Sequence, residues 1–253
     1  MSGNLEIRDI YARSILIEEY PVYPAPPPTA LRPIHGRAVA ASVALALNAL
    51  VGLTASVVGV QRVALISEFS ADPDSVDIAE IEAGDSIAGA VAMVQSVAYV
   101  LAIAAFLVWL YRARKNAEPL ALWPHRLSTP WLFFGWVVPV VSFWFPKQIM
   151  DDIWASSKPG GLHLAPNFGA ARRSGLIWAW WLAWLAAVWA SKLVSNGFRN
   201  PDDLESIRRA VLVDVITDAL LVIAAILAAM IVLQISRFQE ARRSIAAHQI
   251  AAA

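Results

Sequence analysis

The stretch WLFFGWVVPVVSFWFPKQIMDDIWASS, residues Trp131–Ser157, determines how the rest of the chain is arranged. Its apolar part, Trp131–Phe145, would be only about 22 Å long as a helix, which is short of the roughly 30 Å hydrocarbon core of a bilayer. Pro139 interrupts this part, and Pro146 begins a charged amphipathic continuation. The sequence therefore predicts a short broken segment that either dips into the membrane and returns or crosses where the bilayer is thin.

Longer apolar runs flank this segment, two on each side. The chain is 58% hydrophobic with a mean hydropathy of +0.55, which is typical of a polytopic membrane protein. Each run has about the twenty residues that a transmembrane helix needs. We therefore predict an all-α integral membrane bundle with four transmembrane helices and one short re-entrant or interfacial helix, the spans being residues 38–60, 87–111, 176–195 and 211–235.

The distribution of positive charge predicts the topology. If residues 131–145 do not cross, both termini share one side, which then carries fifteen of the 20 lysines and arginines; if they cross, that side carries twelve. The positive-inside rule favours the first arrangement, with both termini cytoplasmic. The chain then divides into a proline-rich cytoplasmic tail (1–37), a membrane domain (38–237) and a cytoplasmic C-terminal tail (238–253) into which the last helix continues. The arginine-rich and alanine-rich composition indicates a bacterial cell membrane.

All 11 tryptophans fall between Trp109 and Trp189, mostly at the predicted cytoplasmic half of the membrane. Indole rings favour the boundary between headgroups and hydrocarbon, where the ring is apolar and the N–H is hydrated. The cluster is typical of an interfacial belt. A tryptophan-lined pocket for a lipid or another ligand is the alternative.

Four polar residues lie inside the predicted spans at similar depth: Asn48, Gln95, Asp214 and Asp218. Acidic residues within a membrane are rare and face a bundle interior or a cavity, and the two aspartates lie one helical turn apart on the same face. The four residues are predicted to form one polar cluster. It is interpreted either as a proton or cation site or as interhelical hydrogen bonding.

A second group of charges lies at the predicted cytoplasmic face. Arg112 and Arg114 leave the second span there, and Asp151 and Asp152 follow the short segment at the same level. Because arginine pairs bidentately with carboxylate, the arginines are predicted to clamp the aspartates and hold the short segment against the second span. The alternative is that the arginines bind an anionic lipid headgroup.

Three motifs resemble a known family. YRARKNAE (Tyr111–Glu118), GWVVP (Gly135–Pro139) and PKQIMDDIWASS (Pro146–Ser157), in this order, are similar to the signatures of DUF4328, an actinobacterial membrane family of unknown function. The resemblance covers roughly Gln95–Arg237. It implies an integral membrane protein and supplies no activity.

The sequence limits the function to two classes. No cysteine is present, and neither a GxSxG elbow, an HExxH pair nor a phosphate-binding glycine loop occurs, so no catalytic residue, metal site or cofactor is predicted. Zero net charge argues against nucleic acid as a partner. The favoured function is a non-catalytic scaffold, regulator or accessory subunit whose partners are the bilayer, anionic headgroups or another membrane protein. The alternative is a small transporter or lipid-handling enzyme that uses the intramembrane carboxylates.

Overall fold

The computed structural model describes residues 31–162, 165, 167–197 and 203–251, and within these residues the chain is helical and contains no strand. This confirms the predicted all-α class. The predicted N-terminal tail lies outside the described residues except for 31–37. The α-helices are α1 (His35–Ala71), α2 (Ile78–Ala117), α3 (Trp131–Phe134), α4 (Phe145–Ser157), α5 (Gly175–Gly197) and α6 (Leu204–Ala251). Short 3-10 turns occupy Pro73–Ser75, Glu118–Leu120 and Val141–Phe143.

Three of the helical segments are long and apolar enough to cross a membrane: His35–Ala71, Ile78–Leu120 and Leu204–His248. They contain the predicted spans 38–60, 87–111 and 211–235. The fourth predicted span lies within α5, so its helical character is confirmed, whereas its crossing of the membrane stays a prediction. Helix α6 continues to Ala251, which is the extension into the C-terminal tail that the sequence predicts.

The long helices pack in a row and leave a cleft. Helix α1 packs along α2 on one side and along α6 on the other, and α6 packs along α5. By contrast, almost no close backbone contacts join α2 to α5. The contact between α1 and α6 is tight at two glycines: a Cβ on Gly59 would lie 2.5 Å from Val215, and a Cβ on Gly52 would lie 3.0 Å from Val222. The result is a bundle closed along α1 and α6 and open between α2 and α5.

The short segment folds back on itself at the predicted proline. Helix α3 ends at Phe134, and Val141 N–H donates to the carbonyl of Pro139 at 2.8 Å. This is a γ-turn of the rare positive-φ form, with Val140 at φ 68° and ψ −60°. The turn brings the two ends of the segment Trp131–Phe145 together: the ring centroids of Trp131 and Phe145 lie 4.9 Å apart.

Helix α4 closes one end of the bundle with its apolar face inward. Pro146 occupies the first turn, as expected for a residue whose missing N–H would have no helical partner. Ile149, Met150 and Ile153 lie on one face, and at most 1% of each is exposed. The helical period alone, counted from Pro146, predicts that these three residues share a face. Full burial of each such side chain stabilises the fold by about 1.5–3 kcal/mol.

Candidate functional site

Helix α4 is held to the loop between α2 and α3 by a buried ion pair. Asp152 is only 1% exposed. Arg126 donates to its Oδ1 from Nε (2.9 Å) and Nη2 (2.6 Å), and the Arg126 backbone N–H donates to Oδ2 (3.1 Å). Burial raises the pKa of the Asp152 carboxyl, although the Arg126 guanidinium opposes the shift. The burial of Asp152 thus comes from the loop that carries Arg126.

Asp151 pairs within its own helix. Its Oδ2 accepts a hydrogen bond from Lys147 Nζ at 2.6 Å, and both side chains are about nine-tenths buried. The Lys147 ammonium also lies 3.9 Å from the centre of the Trp178 ring on α5, which is a cation–π contact. Lys147 therefore links α4 to α5.

Among the described residues, neither α2 arginine of the predicted clamp forms a direct ion pair with Asp151 or Asp152, although Arg114 lies within electrostatic range of Asp152. Arg114 donates to the carbonyl of Leu127 at 2.7 Å and pairs with Glu118 at 3.4 Å. Arg112 forms no ion pair with the described residues and lies within electrostatic range of Arg37. The loop after α2 supplies Arg126 as the direct partner of Asp152, and Arg114 acts on that carboxylate only as a nearby positive charge.

Two further buried polar contacts were not predicted. Gln239 on α6 is 1% exposed, and its Nε2 donates to the carbonyl of Ala113 (2.9 Å) and to Ser157 Oγ (2.8 Å). It thereby joins α6 to the ends of α2 and α4. Trp109 Nε1 donates to Ser236 Oγ at 2.9 Å. Neither contact leaves a signal in the sequence, because a glutamine or a serine just beyond a predicted span (211–235) is usually solvated.

His125 lies beside the same ion pair. Its ring stacks on Phe168 with centroids 5.1 Å apart, and its Nε2 lies 3.4 Å from Ser156 Oγ. Burial, together with the positive charges of Arg114 and Arg126, lowers the pKa of His125 to about 3. The imidazole is therefore neutral at physiological pH.

The cleft between α2 and α5 contains an apolar cavity of about 350 Å³. Aromatic rings form its walls: Phe106 comes from α2, Trp136 from the short segment, and Trp180 and Trp184 from α5. These rings contact one another edge-on or tilted, with centroids 5.7–6.3 Å apart. The outer lining includes apolar side chains that are exposed on the bundle surface, such as Val137, which is 78% exposed. The cavity is thus continuous with the apolar exterior.

A polar cavity of about 340 Å³ lies farther along the bundle between α1, α2 and α6. It is lined by three of the predicted polar residues, Gln95, Asp214 and Asp218, together with Arg62. Gln95 Nε2 donates to Asp218 Oδ1 at 2.6 Å, which joins α2 to α6. The structure therefore brings these three residues to one cavity.

The fourth predicted residue, Asn48, lies apart from the carboxylates. It is 8% exposed and lines a cavity of about 260 Å³ between the apolar and polar cavities. This middle cavity shares Asn48 and Tyr99 with the apolar cavity and Gln95 with the polar one. The three cavities therefore follow one another along α2.

The site holds no arrangement for a metal: among the described residues, no three histidine, aspartate or glutamate side chains come close enough together to bind one.

A comparison with protein families identifies one match. The model described as a domain of unknown function, DUF4328, matches residues 72–237, about two thirds of the chain. This range contains all three motifs that resemble the family. No curated protein and no solved structure matches the chain significantly.

Proposed function

We propose that this chain, which belongs to the DUF4328 family, is a non-catalytic membrane protein of four crossings that holds the apolar chain of a lipid-like molecule in the cleft between α2 and α5. Three helices long and apolar enough to cross a membrane support the membrane assignment. The observation that carries the ligand is the aromatic cavity, which is open to the apolar exterior of the bundle.

The folded-back segment supports four crossings with both termini cytoplasmic. Since Trp131 and Phe145 are in contact, the chain enters and leaves this segment at the same level. Helix α5 then supplies the fourth crossing, which the distribution of lysine and arginine also favours. Reporter fusions at Ser157 and Ala253 are expected to indicate the cytoplasm and a fusion at Asp77 the outside. An external Ser157 would contradict this topology.

The lining of the apolar cavity favours binding over reaction. Its side chains are hydrocarbon and aromatic apart from Asn48 and Tyr99, and no acid–base pair faces it. Cavities of this size with mostly apolar walls and few polar groups are typical ligand sites. Lipid binding is compatible with the predicted role as a regulator or accessory subunit. Because the carboxylates line a cavity and are not packed dry, the transporter alternative also keeps support.

Lipid extracted from the purified protein tests the proposal. Mass spectrometry of lipid retained in an uncharged detergent is expected to identify a bound amphiphile. Trp184→Ala should reduce its occupancy because the Trp184 ring lines the cavity. Trp189→Ala is the matched control on the same helix, since Trp189 is 48% exposed and stacks on Phe143 outside the cavity. Equal lipid retention by both variants would contradict the proposal.

A further inference from the structure

Asn48 lies at the junction of the apolar cavity and the middle cavity, and it lines both. We infer that its side-chain amide, together with the Tyr99 hydroxyl, binds the hydroxyl group of an uncharged lipid whose apolar chain lies in the apolar cavity. This inference rests on the proposed function and adds the class of ligand, which is a long-chain alcohol and not a charged amphiphile.

The Asn48 amide is buried without a partner. The residue is 8% exposed, and its side chain forms no hydrogen bond in the described part of the chain. A primary amide carries two N–H donors and an acceptor oxygen. Inside a membrane these groups are costly when unpaired, because the hydrocarbon core offers no bulk water to bind them. The unpaired amide therefore indicates that a polar group binds in the cavities it lines.

Another amide that lines the middle cavity is already used to join helices. Gln95 Nε2 donates to Asp218 Oδ1 at 2.6 Å and so links α2 to α6. Asn48 on α1 forms no such link within the described residues, although it lines the same cavity. Interhelical hydrogen bonding thus accounts for Gln95 and does not account for Asn48.

Tyr99 supplies a second polar group at the junction. It comes from α2, and it lines both the apolar and the middle cavity as Asn48 does. Its hydroxyl likewise has no hydrogen-bond partner among the residues that the structure describes. A ligand hydroxyl can donate to Asn48 Oδ1 while it accepts from the Tyr99 hydroxyl. An ether or a ketone can only accept, and it would leave Asn48 Oδ1 unpaired, so an alcohol fits the pair best.

The depth of Asn48 favours an uncharged group. Asn48 lies ten residues from Ala38 and twelve from Val60, the ends of the first predicted span. At 1.5 Å per residue these separations are about 15 and 18 Å, which places the amide near the centre of the bilayer. A charge at this depth is costly, whereas a hydroxyl with hydrogen-bond partners is not.

The apolar cavity has room for the chain of such an alcohol. On α2 its lining extends from Tyr99 to Leu107, which is eight residues or about 12 Å. A decyl chain spans this distance. Phe106, at the end away from Tyr99, contacts the rings of Trp136 and Trp180. The end of a decyl chain whose hydroxyl is bound at Tyr99 would therefore lie beside tryptophans.

Tryptophan quenching by a bromine atom at the end of the chain provides the test. The full chain in an uncharged detergent is titrated with 10-bromodecanol and with 1-bromodecane, which lacks the hydroxyl, and each affinity is expressed as a mole fraction in the micelle. Asn48→Leu should reduce the preference for the alcohol about tenfold, because roughly two hydrogen bonds are lost. Tyr99→Phe removes one hydrogen bond and should reduce the preference about threefold.

Thr54→Val is the matched control on α1. The Thr54 hydroxyl is exposed and donates to the carbonyl of Leu50, so its removal should leave the preference unchanged. Tyr99→Phe keeps the inference testable if Asn48→Leu does not fold. If both ligands quench saturably but the preference is the same in the parent and in the Asn48 and Tyr99 variants, hydroxyl recognition is overturned and the proposed cleft stands. The absence of saturable quenching by either ligand would overturn both.

Discussion

Substitution at the Arg126–Asp152 pair tests how the short segment is held. Asp152 is 1% exposed, whereas the Arg126 side chain is 29% exposed. Arg126→Ala therefore leaves a buried carboxylate with neither of its two side-chain hydrogen bonds. Removing one partner of a buried pair costs 3–5 kcal/mol when the remaining charge stays dry. Because the vacated arginine site admits water, we expect about 2–4 kcal/mol of lost unfolding free energy.

The coupling energy between the two residues is the informative quantity. Asp152→Asn removes the charge but leaves an amide oxygen that accepts one bond from Arg126, so we expect a cost of about 1–2 kcal/mol. In that background Arg126→Ala should cost only about 1 kcal/mol, since no charge is left unpaired. The expected coupling is therefore about 2 kcal/mol. It would be measured by reversible unfolding in mixed detergent micelles, with the cycle completed by the double variant.

Two other cycles serve as controls. Arg112 combined with Asp152 should couple by less than about 0.5 kcal/mol, because the structure gives Arg112 no contact with that carboxylate. The solvent-exposed pair Glu205–Arg208, with oxygen and nitrogen 2.8 Å apart, should couple more weakly than the buried pair because water and salt screen it. A coupling for Arg126 no larger than that of the exposed pair would refute the buried anchor, and a large coupling for Arg112 would restore the clamp between α2 and α4.

Substitutions at His125, Gly59 and Arg112 test the loop beside the ion pair, the contact between α1 and α6, and the cytoplasmic end of α2. The pKa of His125 is lowered to about 3 from 6.5, so between these pH values only the unfolded chain binds a proton at this residue. The free energy of unfolding should therefore fall on acidification below pH 6.5, by up to about 1.4 kcal/mol per pH unit. His125→Gln should lack this share of the pH dependence, and identical pH profiles of variant and parent would contradict the assignment. Gly59→Ala should lower the free energy of unfolding by about 1–3 kcal/mol, because the new Cβ would meet Val215. Gly89→Ala is the control: a Cβ there has nothing within 4 Å, so the substitution should be neutral or stabilising. Thermal unfolding of the two variants measures the difference. Arg112→Gln should reduce the preference for anionic over zwitterionic lipid in lipid-retention measurements, because Arg112 forms no ion pair with the described residues. An unchanged preference would argue against a headgroup site at Arg112.

The sequence predicts well those features that depend on local pattern. The breaks around Pro139 and Pro146 were predicted because proline acts on its own turn. The buried face of α4 was predicted because the helical period alone places Ile149, Met150 and Ile153 together. These features require no knowledge of what packs against the helix.

Partners distant in the sequence were predicted less well. Asp152 and Arg126 are separated by 26 residues, and the irregular loop that carries Arg126 has no periodicity from which its path could be read. The α2 arginines were assigned to the aspartates because helix ends have a predictable depth and the loop does not. Gln239 was missed for the same reason, since its partners lie 82 and 126 residues away.

The tryptophans show why depth alone does not determine a role. Their clustering in the sequence predicts how deep they lie in the membrane. Tryptophans at that depth could form either an interfacial belt or the walls of a pocket. The rotation of α5 about its axis decides which role each tryptophan has: Trp184 lines the cavity, whereas Trp189 is 48% exposed. The packing of α5 against α6 fixes this rotation. The sequence of α5 does not predict it, because the helix is apolar almost all round and has no distinct apolar stripe. In such a helix, function has to be inferred from the cavity that the neighbours leave open.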